Sequence, residues 1–210
     1  MPFIDPNFLS EETQPVSHLL ITSADDSNVI DTSLELAKIL AQQGNSVLWV
    51  DGNLGKKSPS DDFKNPDLNR VLTGQLPLTE AIQKVGNISI LAGITHPFLA
   101  ELSDINQYRF LQDLRKVYLN FDKVVLSVDG KNPVLQKKWM NEAESTYLLF
   151  NTKNLLLNRT LAWLEENNHR TNGIIGIGKN EQEVLLAYMR LKKILGEIPD
   201  LILDIKKIAP

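Results

Sequence analysis

His18-Leu19-Leu20-Ile21-Thr22-Ser23, the polar loop Ala24-Asp25-Asp26-Ser27-Asn28, a periodic stretch over 29–43 closed by Gly44, and then Ser46-Val47-Leu48-Trp49-Val50-Asp51 form the stretch that decides the fold. The two flanking runs are short and apolar at consecutive positions, the pattern of strands buried on both faces. Between them Leu36, Ile39 and Leu40 recur at helical spacing, and Gly44 supplies the stop. A strand, a helix and a strand in this order predict a parallel βαβ unit.

The same alternation continues along the chain. Strands are predicted over 87–92, 123–128, 146–150 and 173–177, and helices over 103–120 (capped by Ser103), 155–167 and 181–195. The predicted fold class is therefore three-layer α/β/α, a mostly parallel twisted sheet with helices on both faces and right-handed crossovers. Residues 1–16 are polar and punctuated by proline and are expected to be an N-terminal arm, with 17–210 as a single domain. The polar, proline-containing stretch 56–66 is expected to be a loop. No internal repeat, low-complexity tract or interdomain linker is visible.

Composition narrows the function classes. The 210 residues are 42% hydrophobic and 23% charged, with a net charge of −4 and a pI near 5.4. That balance gives no footprint for nucleic acid. The absence of cysteine removes disulfides, thiolate nucleophiles and thiolate metal sites. The opening MPFIDPNFLSEE lacks the basic flank and apolar core of a signal peptide, and no run reaches the length of a membrane span. A cytoplasmic location is expected.

Taken with the segment Val47-Leu48-Trp49-Val50-Asp51-Gly52-Asn53-Leu54-Gly55, the opening resembles that of the MinD/ParA family of P-loop ATPases, in which a strand ending T-S leads into K-G-G-x-G-K-T, a helix, and a strand ending D-x-D-L-G. Further on, Asn69-Arg70-Val71-Leu72-Thr73-Gly74-Gln75 with Leu78-Thr79-Glu80-Ala81-Ile82 is similar to a stretch of the flagellar-number regulator FlhG and of the tyrosine autokinases of polysaccharide export. Ile88-Ser89-Ile90-Leu91-Ala92-Gly93, Glu101-Leu102-Ser103 and Phe121-Asp122-Lys123-Val124-Val125-Leu126 follow in the family's order and spacing. The resemblance spans residues 18–195.

The resemblance also marks what differs. A P-loop cradles phosphates with backbone N–H groups, glycines allow the close approach, a lysine neutralises charge and a Ser/Thr hydroxyl holds Mg²⁺. The loop here has no glycine and no lysine, but carries Asp25, Asp26 and Asp31. Aligned on the helix, the catalytic lysine position falls on Val29 and the Mg²⁺ threonine on Ile30, and the lysine that reaches a neighbouring subunit falls on Asp25. The family's D-x-D becomes Asp51-Gly52-Asn53, and the Asp ending the later strand falls on Ser127, with Asp129 two residues on. No catalytic residue, cofactor or metal is expected. Some of the three loop carboxylates are expected to cap the helix N-terminus.

Gly173-Ile174-Ile175-Gly176-Ile177-Gly178-Lys179-Asn180 nearly matches a second P-loop, but it lacks the final hydroxyl and reads as a buried strand followed by a helix cap. The resemblance makes Asn180 a residual counterpart of an adenine-facing Asn. His18, His96 and His169 show no metal spacing. Lys137-Lys138-Trp139-Met140 suggests a basic, aromatic surface, and so do Lys192-Lys193 and Lys206-Lys207, although charge pairs of this kind are usually solvated faces. Ile202, Ile205 and Ile208 could form a small apolar stripe, read either as a docked terminal element or as a membrane contact.

The resemblance implies a non-catalytic scaffold or regulator that acts by protein–protein interaction in assembly or placement of a bacterial envelope machine: a flagellum, a secretion system or an exopolysaccharide exporter. Its expected partner is a protein, with a homodimer as a further option and membrane contact only through a partner. One alternative is a degenerate autokinase-like domain beside a membrane co-polymerase, although the last tyrosine is Tyr188 and no terminal tyrosine cluster exists. Another is an enzyme using Ser23, Asp51, Asn53, Ser127, Asp129, Thr152 and Asn180 at the strand ends.

Overall fold

The computed structural model describes residues 17–25, 29–52, 71, 74–91, 104–131 and 133–208. In chain order these form β1 (Ser17–Ser23), α1 (Val29–Gln42), β2 (Val47–Asp51), the one-turn α2 (Leu78–Ala81), β3 (Gln83–Val85), β4 (Ile88–Leu91), α3 (Asp104–Tyr118), β5 (Lys123–Val128), α4 (Pro133–Glu142), β6 (Ser145–Asn151), α5 (Asn154–Asn167), β7 (Gly173–Ile177), α6 (Glu181–Leu195) and β8 (Leu201–Ile202). The arm 1–16, the loop 56–66, Ser103, His96 and Asn53 lie outside the described residues.

The apolar runs pair into one eight-stranded sheet in the order β3-β4-β2-β5-β1-β6-β7-β8. Every pairing is parallel except β3–β4, a hairpin that turns through Gly86 at φ 61°. Because side chains alternate across a strand, each run feeds two cores. Leu20, Leu48, Leu126 and Leu148 point to one side, toward Leu114 of α3, Trp139 of α4 and Leu164 of α5. Leu19, Ile21, Trp49 and Val125 point to the other, toward Leu36 and Leu40 of α1. Each such aliphatic side chain contributes roughly 1.5–3 kcal/mol on burial. The predicted three layers are present, and Gly44 ends α1 at φ 94°, a conformation that costs glycine little.

One expectation is corrected here and one pair of alternatives is decided. Lys137-Lys138-Trp139-Met140 is not an aromatic surface. It lies in α4, which opens with Pro133 at its first position, and it turns Trp139 (2% exposed) and Met140 into the core while Lys137 stays outside. The helical period was hidden because polar residues outnumber apolar ones in this segment. Of the two readings of the isoleucine stripe, the docked terminal element holds. Ile208 is buried in the α1-side core, and Ile202 and Ile205 pack against that core. No described helix is long and apolar enough to cross a membrane.

Candidate functional site

From β1 the chain runs through α1 to β2, yet β5 lies between β1 and β2, and β6 lies on the other flank of β1. Helices α1 and α4 therefore leave neighbouring strands, β1 and β5, toward opposite faces of the sheet. This is a topological switch point, the place at the carboxyl ends of the strands where open α/β sheets form their binding crevice.

The crevice floor is tightly bonded. The Ser23 hydroxyl donates to the Asp25 carbonyl at 2.7 Å, and the Gly130 N–H donates to the same oxygen at 2.9 Å. The Gly52 N–H donates to the Ser127 carbonyl at 2.8 Å, and the Lys131 N–H donates to Asp129 Oδ1 at 3.1 Å. A Cβ on Gly130 would stand 2.5 Å from the carbonyl carbon of Ala24. The loops after β1 and β5 are thus in backbone contact, and only glycine permits it.

Below them a buried network ties four elements together, β1, β5, α4 and α5. Gln136 of α4 donates through Nε2 to Thr22 Oγ1 (2.6 Å) and to the Ser23 carbonyl (2.8 Å), and its Oε1 accepts from Trp163 Nε1 of α5 (3.0 Å). Thr22 in turn donates to the Val128 carbonyl at 2.7 Å. All three side-chain polar atoms of Gln136 and Thr22 are used, so the network holds the end of β1 in one position.

The residues marked by the sequence fall as follows. Val29 and Ile30 open α1 and are 1% and 7% exposed, packed into the α1-side core. Asp25, Asp51 and Asp129 are all buried, at the ends of β1, β2 and β5, which are neighbours in the sheet. Ser127 stands opposite Asp51 in the β2–β5 register and is fully buried. Among the described residues no group of three or more His, Asp or Glu side chains is arranged to hold a metal ion.

The β7–α6 junction is a strand and a cap. Asn180 is the N-cap, its side chain accepting from the Glu183 N–H at 2.9 Å. The Glu183 carboxylate accepts from the Thr152 hydroxyl and from the Lys179 N–H, and these bonds hold its pKa below the usual carboxylate value. This is a close relative of the capping box. One N–H that a second P-loop would turn toward phosphate, that of Lys179, is already served by the protein's own carboxylate. Neither the Gln136 network nor the Thr152–Glu183 bond was foreseen. The S/T/N-x-x-E spacing of Asn180 and Glu183 was the available signal for the second.

His18 lies at the other end of β1. Its ring packs on Tyr118 with centroids 4.8 Å apart, and burial lowers its pKa against the opposing pull of Glu144. His169 is exposed.

No family model and no curated protein matches the chain. Solved structures do. The cobyrinic acid a,c-diamide synthase of Mycobacterium smegmatis with bound ADP and magnesium superposes with a TM-score of 0.70 at 17% identity, covering 92% of this chain and 90% of that one. The septum site-determining protein MinD of Pyrococcus horikoshii, complexed with Mg-ADP, gives 0.66 at 19% identity, covering 89% and 81%. The apo McdA of Cyanthece gives 0.65 at 15% identity, covering 92% and 89%. The chain has the MinD fold. Its eight-stranded, mostly parallel sheet with helices on both faces is an α/β fold like that of the MinD/ParA P-loop proteins.

Proposed function

We propose that this MinD-fold chain does not hydrolyse ATP and works as a scaffold or regulator through protein–protein contact, in assembly or placement of a bacterial envelope machine such as a flagellum, a secretion system or an exopolysaccharide exporter. One observation carries the reading: the two positions that the resemblance assigns to the phosphate-binding lysine and the Mg²⁺-binding threonine are Val29 and Ile30, both buried among apolar side chains. They offer neither a cation nor a hydroxyl. Asp25, Asp51 and Asp129 are buried at the same strand ends, and these carboxyl groups supply no cation for a phosphate. The described residues therefore do not fit a magnesium nucleotide. A partner would read a surface that no nucleotide switches.

Isothermal titration of ATP and ADP in the presence of Mg²⁺ tests this. The expected result is no saturable heat up to about millimolar nucleotide. Saturable binding with Kd in the micromolar range would overturn the reading, and loss of that binding on substituting Asp51, Asp129 or Lys179 would then locate the site.

A further inference from the structure

Helix α6 covers the sheet with Val184, Ala187, Tyr188 and Leu191, and its opposite arc carries large apolar side chains that are exposed. Leu186 is 59% and Met189 60% exposed, with the partly exposed Leu185 beside them. One turn further on stand Arg190, Lys192 and Lys193, all exposed, and no carboxylate among the described residues pairs with them. The first turn is acidic, with Glu181 and Glu183. Helix-dipole complementarity accounts for acid at the start and base at the end. It does not account for an apolar centre between them on the outward arc.

We infer that the outward face of α6 pairs with the same face of a second copy of this chain, antiparallel, about a two-fold axis passing between residues 187 and 188. The face is self-complementary in that arrangement and in no parallel one. Gln182, Leu186, Met189 and Lys193 are spaced four, three and four residues apart, the spacing of a coiled-coil seam. Antiparallel overlay about 187/188 sets each Leu186 against the other copy's Met189, and each Gln182 against its Lys193. The acidic first turn of one helix then lies along Arg190, Lys192 and Lys193 of the other, and the two helix dipoles oppose. A parallel overlay would stack the three cations on three cations. An anionic membrane surface fits less well, because Glu181 and Glu183 at the head of the same helix would be repelled by it. An isologous contact of this kind closes as a dimer. It needs no nucleotide, so it stands or falls apart from the reading of the crevice.

Sedimentation equilibrium of the full chain, from micromolar to near-millimolar concentration, reads the association directly. The expected result is a rise from one to two chain masses, with Leu186→Glu or Met189→Glu weakening association at least tenfold. Both residues are exposed, so unchanged circular-dichroism melting confirms that the variants fold. The chain has no cysteine, so introduced ones report register cleanly. Under mild oxidation Gln182→Cys mixed with Lys193→Cys is expected to cross-link, while neither variant cross-links to itself, because the antiparallel overlay separates like positions by roughly 16 Å along the helix. A mass of one chain at every concentration, a dimer indifferent to both glutamate substitutions, or Gln182→Cys cross-linking to itself would each overturn the inference.

Discussion

At the scale of single residues, the crevice is governed by close approach. Gly130 has no room for a side chain: its Cβ would meet the backbone of Ala24 at 2.5 Å, and backbone cannot swing aside as a side-chain tip can. Gly130→Ala is expected to destabilise the protein by about 1–3 kcal/mol, the usual cost of overpacking, read as a lower urea midpoint. His18 sets a pH dependence. Burial holds its pKa below the ordinary 6.5, so on acidification the unfolded chain takes up the proton before the folded one. The stability it contributes is present above that ordinary value and is lost as the pH falls through the lower, folded one. Glu144 and Glu142 oppose burial and limit the effect. His18→Phe keeps the ring contact with Tyr118 and removes the proton. Its urea midpoint is expected to vary less between about pH 5 and 7 than that of the parent chain.

At the scale of elements, α4 matters more than its sequence advertises. It carries Trp139 into the core and Gln136 to the end of β1, where one amide serves two acceptors on β1 and one donor on α5. Gln136→Leu keeps the volume and strands the Ser23 carbonyl and the Trp163 N–H without that partner. The expected cost is about 2–4 kcal/mol in urea denaturation, more than the lost hydrogen bonds alone would give, because buried groups left unsatisfied keep their desolvation penalty. A change below about 0.5 kcal/mol would show that water enters and replaces the amide.

At the scale of the whole molecule, every described strand belongs to one sheet, and the apolar clusters on its two faces share that sheet. Residues 17–210 are therefore proposed to unfold as one unit. Urea unfolding followed by tryptophan fluorescence and by circular dichroism is expected to give coincident curves, and separated transitions would divide the chain into two cooperative parts.

The sequence by itself determined the parallel α/β class. Continuous runs such as Val47-Leu48-Trp49-Val50 can be buried on both faces only inside a covered sheet, and the 3.6-residue period of α1 lies beside them. It also marked where residue type departs from the family it resembles, because chemistry is legible in residue type: Val29 and Ile30 carry neither a cation nor a hydroxyl. It missed α4, where a helix with more polar than apolar positions shows no clear stripe, and the isolated pairs that make β3 and β8, which are too short for any period to register. Only the tertiary structure decided that Asp25, Asp51 and Asp129 are buried at neighbouring strand ends, that Gln136 reaches Thr22 across 114 positions, and that Leu186 and Met189 face outward. Strand order and helix rotation set those outcomes. Both are fixed by packing between segments far apart in the chain, and no local pattern carries that information.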